Sequence, residues 1–394
     1  MLTEHFFNRN KLKTPYPKEL KKIISLKDSE LAFEEINKWK GYNSTPLHFL
    51  DEIASELGIN EIYYKDESPR FDLKSFKALG GTYGVLMFIQ NSLKKEIGDI
   101  VSTKDIYSGK YSKIVSKYTV TTATDGNHGR SVAFGAKLFG CKCKIYIHAE
   151  VSLGRKEAME ELGAKVIRVS GNYDESVHIC KNEAKSNGWY IISDTSYKGY
   201  TEYPRYIMAG YTVMIKEIIN QLKDKPLPTH IFLQAGVGSF PGAICGYFWE
   251  RFHEHDIKII IVESDLAGCL IKSAQTGKMS SVDIKKETIM AGLSCGEPSL
   301  LGWEILKSGA DYFVTINDDL VPKTMKLLLD NYNIEAGESS VAGLVALMDI
   351  NNDQNLKNKM GINEQSVILL FGTEGATDLK LYQSIIQNNK LGII

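Results

Sequence analysis

Residues 118–148 read YTVTTATDGNHGRSVAFGAKLFGCKCKIYIH. Tyr118–Ala123 is rich in β-branched residues, Gly129–Phe139 carries apolar residues at helical spacing, and Lys144–His148 is a second short strand. Strand, helix and strand in about thirty residues make a βαβ crossover, which sets the two strands parallel.

The same alternation extends outward from this stretch. Gly154–Leu162 reads as a helix, Lys165–Val169 as a strand, Glu175–Lys185 as a helix and Trp189–Ser193 as a strand. Helix Tyr203–Leu222, strand His230–Gln234, helix Gly242–Phe252 and strand Ile257–Glu263 follow. The chain is then less regular to about Asp311, before helices near Pro322–Asn331 and Ser339–Asp349 and a last buried strand, Val367–Phe371. Upstream, residues 1–40 read as a polar lead-in with a helix near Asp28–Lys40. Leu47–Leu57 reads as an amphipathic helix, Ile62–Lys65 as a short strand and Ser75 to beyond Val85 as a helix. The polar, tyrosine-rich residues 98–118 read as a surface insertion. Strands separated by single helices predict an α/β protein whose open, mostly parallel sheets are covered on both faces. The expected division is a small domain, residues 88–186, inserted into a large domain formed by 1–87 and 187–394, with the ligand between them.

Composition narrows the partners. Of 394 residues, 43% are hydrophobic and 24% charged, and 47 basic against 48 acidic side chains give a formal net charge of −1. No basic run interleaved with aromatics suggests nucleic acid. The start lacks a signal-peptide apolar core, and no apolar run has membrane-spanning length, so a cytoplasmic location is expected. The six cysteines are expected to be free thiols. Cys141 and Cys143 lack a second pair at zinc-site spacing, and no metal is expected.

Ligands of open α/β sheets bind beyond the carboxyl ends of strands. Four suggestive segments follow strands: 122–130, 193–199, 235–242 and 372–378. Gln234-Ala235-Gly236-Val237-Gly238-Ser239-Phe240-Pro241-Gly242 leaves a strand and opens a helix. Its glycines let backbone approach an anion, and the free amides of the helix start point at it. A Walker loop is excluded for want of its lysine. A dinucleotide loop stays open: the third glycine is one position late, but Glu263 could serve as the ribose-binding acid. A tight turn without a ligand is the plain alternative. In Thr122–Arg130, Asn127 and the first helical amides can hold an anionic oxygen, and His128 reads as orienting the loop. Asp125 would repel a substrate carboxylate there, so it needs another task. Lys77 lies in Asp66–Gly81, DESPRFDLKSFKALGG. An amine at a helix start, partly desolvated, is expected to have a lowered pKa and to form a Schiff base with a carbonyl. The alternative is an ordinary solvated lysine.

Taken in order, S-F-K, T-D-G-N-H-G, G-V-G-x-x-x-G and T-E-G resemble the β-family, or fold-type II, of pyridoxal-phosphate (PLP) enzymes. Gly41-Tyr42 with Thr45-Pro46-Leu47, Asp194-Thr195 with Gly199-Tyr200, Ala291–Pro298, Gly337-Glu338-Ser339 and Thr373–Asp378 are similar to its ammonia-lyase branch, over about residues 39–380. Asp125 is the most discriminating position, since dehydratases of the family usually have a small residue there. The resemblance implies two domains, each an open twisted sheet flanked by helices. It implies a homodimer with PLP as cofactor, acting on a small amino-acid substrate, D- or L-2,3-diaminopropionate, to give pyruvate and two ammonia. It implies that Lys77 carries the cofactor and that Gly236, Val237, Gly238 and Ser239 hold its phosphate. Asn127 is then the partner of the phenolic oxygen, and Thr373 lies near the pyridine nitrogen. Phe240-Pro241, Gly372 and Ala376 depart from the family pattern.

These residue types suit a β-elimination. A lysine amine freed by the substrate is a base beside Cα. A carboxylate, Asp125 or Asp194, can hold the leaving ammonium in its protonated form. Asp125 can also take the α-proton from the face opposite Lys77, and Asp194 also reads as a helix cap. The competing functions are a serine/threonine dehydratase-like or other β-eliminating PLP enzyme, a nucleotide-dependent oxidoreductase using the Gly236 loop, and a catalytically silent amino-acid-binding relative.

Overall fold

A computed structural model describes residues 2–388. Its strands are β1 (Leu2–Phe7), β2 (Leu47–Phe49), β3 (Glu61–Asp66), β4 (Thr119–Ala123), β5 (Lys142–Ile147) and β6 (Lys165–Arg168). Then come β7 (Tyr190–Ile191), β8 (His230–Gln234), β9 (Lys258–Ser264), β10 (Tyr312–Ile316) and β11 (Val367–Gly372). A larger sheet runs β1-β10-β9-β8-β11-β3-β2, and a smaller one β6-β5-β4-β7. The smaller sheet is wholly parallel; in the larger only the edge pairs β1/β10 and β2/β3 are antiparallel.

The strand sequences explain the layering. HIFLQ in β8, KIIIVES in β9 and VILLFG in β11 are almost wholly buried apolar runs. Side chains alternate between faces along a strand. Ile231, Leu233, Ile259, Ile261, Leu369 and Phe371 therefore enter one core, while Phe232, Ile260, Val262, Ile368 and Leu370 enter a second on the opposite face.

Helix Lys77–Ile97 packs between helices Asn127–Phe139 and Glu202–Tyr211. The approach is close. A Cβ on Gly80 would lie 2.4 Å from Tyr211 Cε1, one on Gly210 2.8 Å from Gly80 Cα, and one on Gly81 2.3 Å from Ser131 Oγ. Ser131 Oγ donates to the Lys77 carbonyl at 2.6 Å and accepts from Thr82 N at 3.0 Å, tying the helix start to the asparagine loop's helix.

Several elements differ from the sequence expectation. Leu47–Leu57 is not one helix: Leu47–Phe49 pairs with β3, and only Asp51–Leu57 is helical. Sheet pairing overrides the local helical spacing there. The expected helix Tyr203–Leu222 is two helices meeting at Thr212, whose hydroxyl donates to the Ala209 carbonyl at 2.6 Å. Residues 98–118 hold two short helices, with Val101, Ile106 and Val115 buried in the core. β1 was hidden in the polar lead-in because it is an edge strand with mostly exposed side chains. β7 joins the smaller sheet at its edge beside β4. Among the described residues no helix is long and apolar enough to cross a membrane.

Candidate active site

Five segments converge beyond the carboxyl ends of β3, β4, β7, β8 and β11, and one cleft is lined by residues from all of them. Lys77, Asp125, Asn127, Asp194, Gly236, Val237, Gly238, Ser239 and Thr373 all line it. The structure thus brings together every site residue expected from the sequence.

The segment before Lys77 is held from two sides. The Phe76 amide donates to the Thr373 carbonyl at 3.0 Å, the Gly375 amide to the Lys74 carbonyl at 2.9 Å, and Ser75 bridges Glu374. The Phe76 ring packs on Tyr211 and Phe240, with centroids 4.7 and 4.8 Å away. Phe71, Asp72 and Lys74 have left-handed backbone (φ 51°, 59° and 54°), a conformation that side chains disfavour. Arg70 anchors this strained stretch. Its guanidinium donates to both carboxylate oxygens of Glu67 (2.7 and 2.8 Å) and of Glu217 (2.8 Å each). Lys65 Nζ also meets Glu217 at 2.7 Å, and all four side chains are at most 2% exposed.

Lys77 Nζ forms an ion pair with the Asp194 carboxylate. Burial alone would lower the proton affinity of this amine, but the adjacent carboxylate outweighs burial and raises it above the ordinary lysine range. The lowered pKa expected from sequence is therefore overturned by a residue 117 positions away. Burial would raise Asp194, but the Lys77 ammonium holds it below the usual carboxylate range. His128 Nε2 lies 2.8 Å from the Ile192 carbonyl and, as its donor, leaves Nδ1 facing Asp194 at 3.8 Å. Burial lowers the His128 pKa, so the ring is a neutral prop between loops.

Ser239 Oγ donates to the Asp194 carbonyl at 2.6 Å, joining the glycine loop to the same carboxylate-bearing loop. The amides of Gly236, Val237 and Gly238 have no protein acceptor among the described residues. They precede helix Ser239–Phe252, whose first amides are open as well. A Cβ on Gly236 would lie 2.8 Å from the Gly292 carbonyl oxygen, so only glycine lets these loops close together. This is a cradle for an anion. Glu263 takes no part in it. It is fully buried and accepts from the Leu270 and Ile271 amides at 2.8 and 2.7 Å, capping helix Cys269–Thr276, which removes the ribose-binding acid from the dinucleotide alternative.

Asn127 Nδ2 donates to the Glu374 carboxylate, which also accepts from the Ser339 amide at 3.2 Å. Thr373 Oγ1 accepts from Gln234 Nε2 at 2.9 Å and keeps its own proton free to donate. Asp125 Oδ1 lies 2.9 Å from His148 Nε2. Gln234, Glu374, Tyr211 and His148 were not anticipated as part of the site. All six cysteines are free among the described residues, Cys269 and Cys295 included.

The family model for "Pyridoxal-phosphate dependent enzyme" matches residues 38–372. This chain belongs to that family. The pyridoxal-phosphate dependent enzymes it resembles include diaminopropionate ammonia-lyase of Escherichia coli K12, 36% identical over 380 residues, 94% of each chain. A solved structure of the Escherichia coli lyase with an aminoacrylate-PLP azomethine reaction intermediate superposes with a TM-score of 0.88 at 34% identity, covering 99% of this chain and 98% of that one. Another, in complex with D-serine, gives 0.89 at 35% identity, covering 98% and 97%. The fold is the α/β fold-type II of PLP enzymes. The open amides of the glycine loop, the half-buried lysine and the free Thr373 proton fit a phosphorylated pyridine aldehyde.

Proposed function

We propose that this chain eliminates ammonia from D- or L-2,3-diaminopropionate, giving pyruvate and, with one water, two ammonia. The Lys77–Asp194 pair carries the reading: a carboxylate in the cleft already holds an ammonium, and Asp125 adds a second carboxylate to the same cleft. The likeness to diaminopropionate ammonia-lyases supports it.

In this reading Lys77 binds the cofactor's aldehyde, and the amides from Gly236 to Ser239 hold its phosphate. Asn127 would meet its phenolic oxygen and Thr373 its ring nitrogen. Bound there, PLP supplies an electron sink for charge at the substrate's α-carbon. Once Lys77 is committed to the cofactor, Asp194 is left to hold the substrate's β-ammonium. There the β-ammonium would take the place of the Lys77 ammonium, and the charge-assisted hydrogen bond would keep the proton on the leaving amine. As a free amine, Lys77 Nζ would accept the α-proton of the L isomer, and Asp125 that of the D isomer from the opposite face. The neutral hydroxyl of Thr373 does not protonate the ring nitrogen, which favours prompt loss of the β-substituent.

The test is pyruvate and ammonia release from each isomer, expected at one to two. Asp125→Asn is expected to cut kcat/KM for the D isomer by about 100-fold and for the L isomer by less than about threefold. Equal losses count against the two-base assignment, and faster turnover of serine than of diaminopropionate reassigns the chain to a dehydratase. We also assign the protein to the cytoplasm as a homodimer, with residues 88–186 as the small domain and 1–87 with 187–394 as the large one. Light scattering of the purified holoenzyme is expected to give twice the chain mass, and a monomer mass removes the dimer.

A further inference from the structure

We infer that His148 is a positioning residue for Asp125, holding that carboxylate through its imidazolium and so controlling turnover of the D isomer. The inference rests on the role proposed above for Asp125. His148 follows β5, and its Nε2 lies 2.9 Å from Asp125 Oδ1. Asp125 lines the cleft and His148 does not. The imidazole lies behind the carboxylate, its side chain 15% exposed against 34% for Asp125. Among the described residues nothing else fixes this side chain so directly: the Arg155 guanidinium donates to the Asp125 main-chain carbonyl at 3.4 Å, not to its carboxylate.

The charges around the imidazole favour its protonated form. Asp125 faces it from the loop after β4, Glu150 from its own loop and Glu287 from the segment before Ala291–Leu293. Arg168, at the end of β6, points its guanidinium at the His148 and Ala149 carbonyls, at 3.3 and 2.5 Å. The adjacent Asp125 carboxylate raises the His148 pKa, against the opposing effect of burial. An imidazolium–carboxylate pair is directional and charge-assisted, and it lapses when the ring loses its proton.

Enantiomers share solution pKa values, so dividing the D profile of kcat/KM by the L profile cancels the substrate's own ionisations. For the holoenzyme this D/L ratio is expected to fall about tenfold through one ionisation above pH 6.5 as pH rises, because a loosened base is misplaced. In His148→Gln the ratio is expected to be low at every pH and flat, with an unchanged absorbance spectrum. A wild-type ratio that is flat or rises with pH overturns the inference without any variant, and so does a step retained in H148Q. Asp125→Asn separates the two failures. Equal loss of both isomers there removes the Asp125 role itself; selective loss there with a normal ratio in H148Q removes only His148.

Discussion

Replacing Lys77 with alanine is expected to lower kcat by about four orders of magnitude, because in the proposed reading the same amine holds the cofactor and moves the α-proton. Lys77→Arg separates that amine from its charge. Arginine keeps a cation beside Asp194 but offers neither a nucleophile nor a base at neutral pH. It is expected to be as inactive as the alanine variant, while preserving the ion pair and the fold. Both variants are expected to lose the yellow colour of lysine-bound cofactor, although the glycine cradle still admits the phosphate. Activity above about 1% in Lys77→Arg places the chemistry on another group.

Arg70→Met is expected to destabilise the holoprotein by about 3–5 kcal/mol, since it strands Glu67 and Glu217 as buried carboxylates short of a partner. Urea unfolding reads this, and a loss below about 1 kcal/mol shows that water or Lys65 compensates. The network also predicts acid sensitivity. Burial would raise Glu217, but Arg70 and Lys65 bring its pKa from 4.5 to about 2. A carboxyl depressed on folding contributes stability that is complete above 4.5 and lost as pH falls towards about 2. Glu217→Gln is expected to flatten stability across that window, and an unchanged acid slope removes Glu217 from the account. Kinetic damage is expected as well, because Arg70 anchors the left-handed stretch that leads to Lys77.

What could be read from the chain alone follows from what is local. A strand that ends in glycine or asparagine before a helix advertises itself within ten residues, so the segments after β4, β8 and β11 were legible. Buried strands such as β11 were legible as apolar runs. Edge strands were not: β1 exposes most of its side chains, and β2 looks helical until β3 lies beside it. Within the site, Gln234, Glu374 and His148 acquire meaning only from partners brought by folding. The protonation of Lys77 went wrong for the same reason, since Asp194 arrives from another sheet. Glu263 shows the converse. Its position after β9 suited a ribose, yet the carboxylate turns inward to cap a helix.

Helices Lys77–Ile97 and Glu202–Tyr211 cross where Gly80 meets Gly210, three residues and about 4.5 Å along the axis from the amine-bearing residue. That crossing acts as a fulcrum. A single methyl group at either glycine levers the helices apart and carries Lys77 out of line with Asp194, without touching any reactive atom. Natural variants of this protein can therefore lose their chemistry through a residue that has no side chain at all.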